Sequence, residues 1–336
     1  MGKKRMMALL TAVVLAVGML TGCGGQTQGE AESADTAEPA EAPETSDEEP
    51  TADGNEKYVI GYTVNDLNDT WVSVVIDNVE QWASEHPEVE VLIGDGASDA
   101  MTQQAVVEGW IEMGVNCVCL KPVDYEASLS ILDAVQKAGI KYVALQQDAE
   151  GADCFVGADG IETGKNQMQA VIDAIGGSGK IAYLAGTEGT LVASEREEGS
   201  MTALEANPDC ELVAREDGDW LREDSITIVE TWLTSGIEFD AICAACDEMA
   251  IGAILALQDA GRDDVVVAGI DGLEMGLEQI EEGNMTLTFY ADAHGLAYEA
   301  LDAALALCKG EQPEDVVLED ILVNEENEPE YMALWR

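Results

Sequence analysis

Short, almost continuous apolar runs alternate with amphipathic stretches through most of this chain, and this rhythm constrains the fold most. The stretch "YVIGYTV" (58 to 64) is the first such run, and "WVSVVIDNVEQWASEH" (71 to 86) carries its apolar residues at helical spacing. Strands that are apolar along their whole length are buried on both faces, which is typical of a parallel sheet covered by helices. The sequence therefore predicts an α/β fold.

The alternation continues along the chain. Further strands are expected in runs that share this apolar, β-branched character: "VEVLIG", "VNCVCL", "IKYVAL", "DCFVGA", "KIAYLAG", "CELVAR", "FDAICAA" and "DVVVAGI". Helical patterns follow many of them, for example at 99–113, 125–138 and 247–260. With more than about ten strands expected in all, two parallel sheets are a more natural arrangement than one.

Polar or aromatic side chains follow strand after strand at its carboxyl end. They include Asp69, Lys121, Asp124, Gln146, Gln147, Asp159, Trp220, Asp247 and Asp271. Open α/β sheets bind their ligands at this edge. A cleft between two such edges would collect these side chains, and we expect the functional site there.

The stretch "AACDEMAIGA" (244 to 253) passes from strand to helix at this edge. Asp247 and Glu248 open the helix, where carboxylates cap free N–H groups and interact favourably with the helix dipole, so we expect both to be capping residues. Cys243 and Cys246 form C-x-x-C within the end of a strand, whereas redox motifs open a helix, and no second pair has metal-ligand spacing. The sequence therefore predicts packing cysteines, no metal site and no cofactor.

The first residues resemble a bacterial lipoprotein signal. Three basic residues (3 to 5) precede an apolar stretch (6 to 20), and "LTGC" ends at Cys23. The resemblance implies that residues 1–22 are a signal peptide and that the lipidated Cys23 anchors the protein to the outer face of the bacterial cell membrane. The alternatives are an ordinary cleaved signal and a short membrane helix, but the apolar run is short for a membrane span.

Residues 23–57 are rich in Glu, Ala, Thr, Ser, Asp and Pro and have almost no large apolar side chain. Such a segment cannot bury enough surface to offset its ordering entropy, so we expect a disordered acidic tether. The whole chain has 68 acidic residues against 15 Lys and Arg, a formal net charge of -53. This charge repels phosphate, and we expect no nucleic-acid partner.

Several motifs together resemble a known family. They are "IGYTVNDLNDTWV", "IEMGVNCVCLKPVD", "AGIKYVALQQD", "VGADGIETGK", "CDEMAIGAILALQDAGRDDVVVAGIDG" and "ADAHGLAYEALDAALALCKGE". Over residues 58 to 325 they are similar to the periplasmic sugar-binding proteins of the ribose and galactose/glucose type. Those proteins are type I substrate-binding components of ABC importers and share their fold with LacI-type repressors. A repressor would begin with a basic helix-turn-helix, and a lipoprotein signal stands here instead.

The resemblance implies two Rossmann-like lobes with parallel sheets, joined by a three-segment hinge and closing around one monosaccharide. The implied N-terminal lobe comprises residues 58–158 plus 291–318, and the implied C-terminal lobe comprises 159–290 plus 319–336. The chain is expected to cross between them near Ala158 and again near Ala291.

The resemblance also implies a ligand site. Trp71 and Trp220 match aromatic positions that stack on the apolar C–H face of a sugar, while Asp69 and Asp271 match acceptors for sugar hydroxyls and Arg196 matches a donor. Other interpretations stay open: Trp71 as a core residue, Asp69 as a helix cap, and Arg196 as a surface residue paired with glutamate.

Five further positions match ligand contacts but depart from the usual residues of the family: Lys121, Gln146, Gln147, Cys246 and Ala291. The family commonly has Asn at the positions of Lys121 and Cys246, and an amide near that of Ala291. These departures leave the identity of the sugar open. Lys121 with Arg196 could accept a carboxylate or phosphate on the ligand, or Lys121 could pair with Asp124.

These residues predict an extracytoplasmic lipoprotein that captures a monosaccharide or similar small polyol, as a monomer, and delivers it to an ABC permease. A lipoprotein that presents a sugar or quorum signal to a sensor kinase or chemoreceptor is the alternative, because the two differ only in lobe surfaces and partner. A hydrolase has little support. His86 and His294 are the only histidines, and neither belongs to a recognisable catalytic arrangement, so we expect no enzyme.

Overall fold

The computed structural model describes residues 57–335. The predicted signal peptide, the predicted lipidation site Cys23 and the predicted tether up to residue 56 lie outside the described residues. Within residues 57–335, no helix is both long enough and apolar enough to span a membrane.

Twelve strands and ten helices are found in the described part of the chain. In order they are β1 (Tyr58–Val64), α1 (Thr70–Glu85), β2 (Val89–Asp95), α2 (Ala100–Met113), β3 (Cys117–Leu120), α3 (Tyr125–Lys137), β4 (Lys141–Leu145), β5 (Cys154–Ala158), α4 (Gly160–Ala174), β6 (Gly179–Ala185), α5 (Leu191–Ala206), β7 (Cys210–Asp217), α6 (Arg222–Thr234), β8 (Ala241–Ala244), α7 (Asp247–Asp259), β9 (Val266–Ala268), α8 (Glu274–Glu281), β10 (Leu287–Tyr290), α9 (Ala293–Cys308), β11 (Val316–Leu318), β12 (Ile321–Asn324) and α10 (Glu328–Met332). The helices and strands predicted from hydrophobic periodicity all appear, with ends shifted by a few residues.

The strands form two six-stranded sheets, which confirms the predicted α/β fold with two parallel-sheet lobes. The first sheet has the order β11-β5-β4-β3-β1-β2, and the second has the order β12-β10-β9-β8-β6-β7. All neighbouring strands are parallel except β10 and β12. Strands β6 to β10 run towards the edge of the second sheet at which the chain crosses to the first sheet. β12 begins where the chain returns at this same edge, so it runs in the opposite direction.

Helices cover both faces of each sheet. On the first sheet, α1 and α9 enclose one core, and α2 and α3 enclose another around Trp110 and Tyr142. On the second sheet, α4 and α5 cover one face, while α6, α7, α8 and α10 cover the other. We call each sheet with its helices the first lobe and the second lobe.

Cysteines contribute to these cores. Cys117, Cys119, Cys154 and Cys243 are buried and Cys308 is half-buried, in agreement with the packing role expected for them. No disulfide forms among the cysteines of residues 57–335.

The chain passes between the two sheets three times: between β5 and α4, between β10 and α9, and between β11 and β12. These crossings agree in number with the predicted three-segment hinge. The limits given above for the lobes, residue by residue, stay a prediction.

Candidate functional site

A cavity of about 660 Å³ lies where the carboxyl ends of the strands converge. Every strand from β1 to β10 ends at or leads within a few residues into its lining, through Asn65, Ser98, Lys121, Gln146, Ala158, Thr187, Asp219, Cys246, Asp271 and Ala291. A cavity of this size suits a small molecule. The expectation of a site at this edge follows from the same parallel topology.

All of the residues predicted to bind ligand line this one cavity: Asp69, Trp71, Lys121, Gln146, Gln147, Arg196, Trp220, Cys246, Asp271 and Ala291. The structure thus brings together every candidate, and their roles in binding stay a prediction. The lining also contains polar residues that sequence reasoning missed or interpreted otherwise, among them Asn65, Arg222, Glu248 and Asp320.

Asp69 and Trp71 form the start of α1 on the first-lobe side. Asp69 is the N-cap, and its Oδ1 accepts a hydrogen bond from Val72 N at 3.0 Å, so the helix-cap interpretation is correct and the residue still reaches the cavity. Trp71 is half-buried, and its Nε1 donates to the carbonyl oxygen of Ala291 at 3.2 Å. This bond joins the aromatic side chain to a crossing between the lobes.

Lys121 projects from the end of β3 and donates from Nζ to Asn65 Oδ1 at 2.6 Å. It does not form the suggested pair with Asp124, which instead caps α3 by accepting from Ala127 N at 2.8 Å. Burial lowers the pKa of the Lys121 ammonium, because a charged group loses hydration there, and the nearby carboxylate of Asp69 opposes the shift. Lys121 is therefore held by a neutral partner inside the cavity.

A buried glutamine in each lobe fastens the strand ends that carry the site. Gln103 Nε2 donates to the carbonyl of Lys121 at 2.8 Å. In the second lobe, Gln167 Nε2 donates to the carbonyls of Ala244 and Gly269 at 2.8 and 2.9 Å. These amides pair backbone groups that would otherwise be buried without partners.

Arg196 projects from α5 into the cavity. Its guanidinium donates to the carbonyl of Ala245 at 2.6 Å and lies 6.0 Å from the ring centroid of Trp220. None of the ion pairs found within residues 57–335 involves Arg196, so the surface-pair interpretation is wrong. Gly164 explains its placement, since a Cβ there would lie 2.0 Å from the Arg196 carbonyl oxygen.

Trp220 follows β7 on the second-lobe side. Asp219 and Trp220 both have positive φ, 52° and 65°, which turns the chain sharply before α6. The ring packs so closely on Gly186 that a Cβ there would lie 2.0 Å from it. One tryptophan from each lobe thus lines the cavity.

Asp271 is 8% exposed and has an unusual backbone, with φ at 123°. Its N–H donates to Phe289 O at 2.8 Å, and its carbonyl accepts from Ala291 N at 3.1 Å. Burial raises the pKa of its carboxyl well above the usual range, and the Arg196 charge opposes this rise.

Asp247 and Glu248 lie in the first turn of α7, but their carboxylates are bonded away from that helix and the expected capping role is wrong. Asp247 accepts from Leu273 N at 2.9 Å and from Thr288 Oγ1 at 2.6 Å, and burial raises its pKa to about 7. Asp247 therefore holds the loop that carries Asp271 in place. The cause is packing, because Asp247 is fully buried against this loop, while Glu248 faces the cavity and the first lobe.

Glu248 connects the lobes. Its Oε1 accepts from Thr70 Oγ1 of the first lobe at 3.0 Å, and its Oε2 accepts from Arg222 Nε of the second lobe at 2.8 Å. Periodicity could not reveal this contact, since its partners are separated by 178 residues.

Gln146 and Gln147 follow β4, and both line the cavity. Gln146 has φ at 62° and packs against Gly157, where a Cβ would lie 2.7 Å from its Cα. Gln147 is buried, and its Oε1 has no hydrogen-bond partner within residues 57–335. A ligand hydroxyl or a water could satisfy this oxygen.

The two histidines lie outside the cavity. Neither His86 nor His294 lines the cavity: His86 stacks on Trp82 and His294 on Tyr298. Over residues 57–335, no cluster of His, Cys, Asp and Glu is arranged to hold a metal ion.

A family model described as the periplasmic binding protein domain matches residues 60–312. The chain belongs to the periplasmic binding protein family. Among curated relatives, the putative rhizopine-binding protein of Rhizobium meliloti is 31% identical over 266 residues, covering 76% of this chain and 86% of the relative. The ribose import binding protein of Bacillus subtilis is 26% identical over 271 residues, which cover 80% of this chain and 88% of the relative.

Solved structures agree with this assignment. An ABC transporter solute-binding protein from Bacillus halodurans, solved with bound myo-inositol, is 34% identical and has a TM-score of 0.81, covering 84% of this chain and 99% of that one. The predicted family is thereby confirmed: this chain is a periplasmic binding protein, similar to solute-binding proteins of ABC transporters. The family consists of solute-binding proteins and not of enzymes.

Proposed function

We propose that this periplasmic binding protein captures a neutral cyclic polyol or monosaccharide, with myo-inositol as the first candidate. In this proposal it acts as a monomer, is anchored to the outer face of the cell membrane through lipidated Cys23, and delivers its ligand to an ABC permease. Its lobes, residues 58–158 plus 291–318 and 159–290 plus 319–336, close around the ligand by a hinge motion at the three crossings.

The balance of charge in the cavity carries the proposal. The carboxyl groups of Asp69 and Asp271 oppose the fall of the Lys121 pKa, and the Arg196 guanidinium opposes the rise of the Asp271 pKa, so the two cations lie near these carboxyl groups. Lys121 already bonds to Asn65, and Arg196 to a backbone carbonyl. Each cation therefore already has a hydrogen-bond partner and a carboxyl group nearby, so the site favours a neutral ligand over a carboxylate or phosphate.

The remaining groups suit a polyol ring. Trp71 and Trp220 supply apolar surface from the two lobes, and carboxyl, amide and guanidinium groups supply hydrogen bonds around it. The relative solved with myo-inositol, the putative rhizopine-binding protein and a xylitol-binding protein from Mycolicibacterium smegmatis, 28% identical, support this ligand class.

Calorimetric titration of the protein lacking residues 1–25 tests the ligand class. The panel comprises myo-inositol, xylitol, ribose, glucose, glucuronate and glucose 6-phosphate. We expect saturable binding of one or more neutral compounds and none, or much weaker binding, of the two anions. A preference for an anion would contradict the charge argument. In that case Lys121→Gln should abolish the preference, which would identify Lys121 as the anion-binding residue.

Lipid anchoring has its own test. Cells that express the full chain are labelled with a radioactive fatty acid, and the Cys23→Ser variant is the matched control. We expect label on the wild-type chain in the membrane fraction and none on the variant. Equal labelling of both chains would reject Cys23 as the anchor.

A further inference from the structure

Residues 328–335 lie beyond the range 60–312 that matches the family, yet they reach the loop that carries Asp271. Trp335 Nε1 donates to the carbonyl of Gly272 at 3.2 Å. We propose that this segment, which we call the brace, holds the Asp271–Gly272 loop in its ligand-binding conformation, with Trp335 as the positioning residue. The inference rests on the proposed role of Asp271 in binding.

The loop is one that needs holding. Asp271 has φ at 123° and Gly272 has φ at 66°. Residues other than glycine rarely adopt such φ values. A backbone conformation of this kind persists where the surrounding structure holds it in place. The hydrogen bonds of Asp271 to Phe289 and Ala291 fix one end of the loop, and Asp247, which accepts from Leu273 N, fixes the other.

The brace acts on the residue between these two ends. A Cβ at Gly272 would lie 2.8 Å from the Cα of Tyr290, so the backbone there is in close contact with β10. The Tyr290 ring contacts the Tyr331 ring of α10, with centroids 5.1 Å apart. Trp335 supplies the hydrogen bond to Gly272 O. Tyr290 and the brace thus contact the loop together.

The brace is itself anchored in the second lobe. Met332 is buried in the core formed with α7 and α8, and the rings of Tyr331 and Trp335 pack against the same cluster. Trp335 N also donates to Met332 O at 3.1 Å. Trp335 is therefore a fixed donor, and its bond costs little ordering entropy beyond that of folding.

Displacement of the loop would reach the ligand site by a continuous path of hydrogen bonds. Ala291 N donates to Asp271 O, and Ala291 O accepts from the indole of Trp71. A shift of Gly272 would therefore move the Asp271 carboxyl and also the anchor point of the Trp71 ring. We expect loss of the Trp335 bond to weaken ligand binding although Trp335 does not line the cavity.

The test compares Trp335→Phe, which keeps an aromatic ring but removes the donor, with Leu334→Ala, whose side chain is 64% exposed. Wild type and both variants are prepared as the full chain in detergent and titrated with myo-inositol and with the neutral sugars of the panel. We expect the Kd of Trp335→Phe for the bound compound to rise by about threefold to tenfold, and that of Leu334→Ala to remain unchanged.

Hydrogen exchange without ligand supplies a local readout that a general loss of stability would not reproduce. We expect faster exchange in Trp335→Phe in peptides covering residues 269–275, with no change in β6 or in the first lobe. Three results would overturn the inference. The first is unchanged exchange at residues 269–275, and the second is faster exchange throughout the second lobe. The third is faster exchange at 269–275 with an unaltered Kd. If wild type bound none of the panel, the proposed function would fail, and the exchange comparison would still decide whether the brace holds the loop.

Discussion

The hydrogen bond between Thr70 Oγ1 and Glu248 Oε1 is a direct contact between the lobes, and Thr70→Val tests what it contributes to ligand capture. Valine has nearly the same shape as threonine and replaces the hydroxyl with a methyl group, which cannot donate a hydrogen bond. A ligand that needs both lobes binds the form in which they are in contact. Its apparent affinity then falls in proportion to the population of that form.

The expected magnitude follows from the surroundings of Glu248. A hydrogen bond to a charged group contributes about 1.5–3 kcal/mol when its partner is left buried and unpaired. Here the Glu248 side chain is 19% exposed and keeps its bond to Arg222, so the net loss is about 1 kcal/mol. This corresponds to an apparent Kd that is about fivefold weaker.

The matched control is Thr202→Val, the same exchange on the exposed surface of α5, where Thr202 Oγ1 bonds only within its own helix. Calorimetry gives the Kd of both variants, and small-angle scattering gives the radius of gyration without ligand. We expect Thr70→Val alone to bind more weakly and to be more extended. Equal Kd values and radii for both variants would refute the reasoning.

Two further outcomes are expected. Gly186→Ala should displace the Trp220 ring, because the added Cβ would lie 2.0 Å from it, and we expect ligand binding to weaken about tenfold or more. The control is Gly109→Ala in the open face of α2. It should leave the Kd unchanged and slightly raise the free energy of unfolding. Equal calorimetric Kd values for both would contradict this. Asp247 has a folded-state pKa of about 7, above its unfolded value, so the folded state binds more protons between the two pKa values. The free energy of unfolding of wild type, relative to that of Asp247→Asn, should therefore fall as pH rises from about 4 to about 7 and stay level above that pH. Urea titrations at several pH values measure this difference. A difference that does not change with pH would contradict the raised pKa of Asp247.

Much of the fold could be predicted because its strands are buried on both faces. Runs such as residues 58–64 and 117–120 are apolar along their length, and the helices between them begin at side-chain caps such as Asp69 and Asp124. The short strands β10, β11 and β12 were not predicted. β10 has only four residues and lies inside the second sheet. β11 and β12 lie at sheet edges, where Val317 is 63% exposed, and so lack the pattern of a buried strand.

The candidate site was also largely predictable, for a topological reason. Parallel strands of one sheet end at one edge, and the family resemblance implies that the edges of the two sheets face one cleft, so residues from different sheets, such as Lys121 and Asp271, line the same cavity. The partners of these residues were not predictable. Lys121 was expected to bind Asp124 or an anionic ligand and bonds to Asn65, while Arg196 bonds to a backbone carbonyl.

The sequence by itself determined the two-lobed α/β architecture, the edge at which a ligand is expected, and ten of the side chains that line the cavity. Only the tertiary structure decided which contacts hold the site together: Glu248 joins the lobes, Asp247 holds the loop that carries Asp271, and Trp335 donates to Gly272. The reason is physical. Periodicity and capping depend on neighbours along the chain, whereas these contacts depend on how separate elements pack in space.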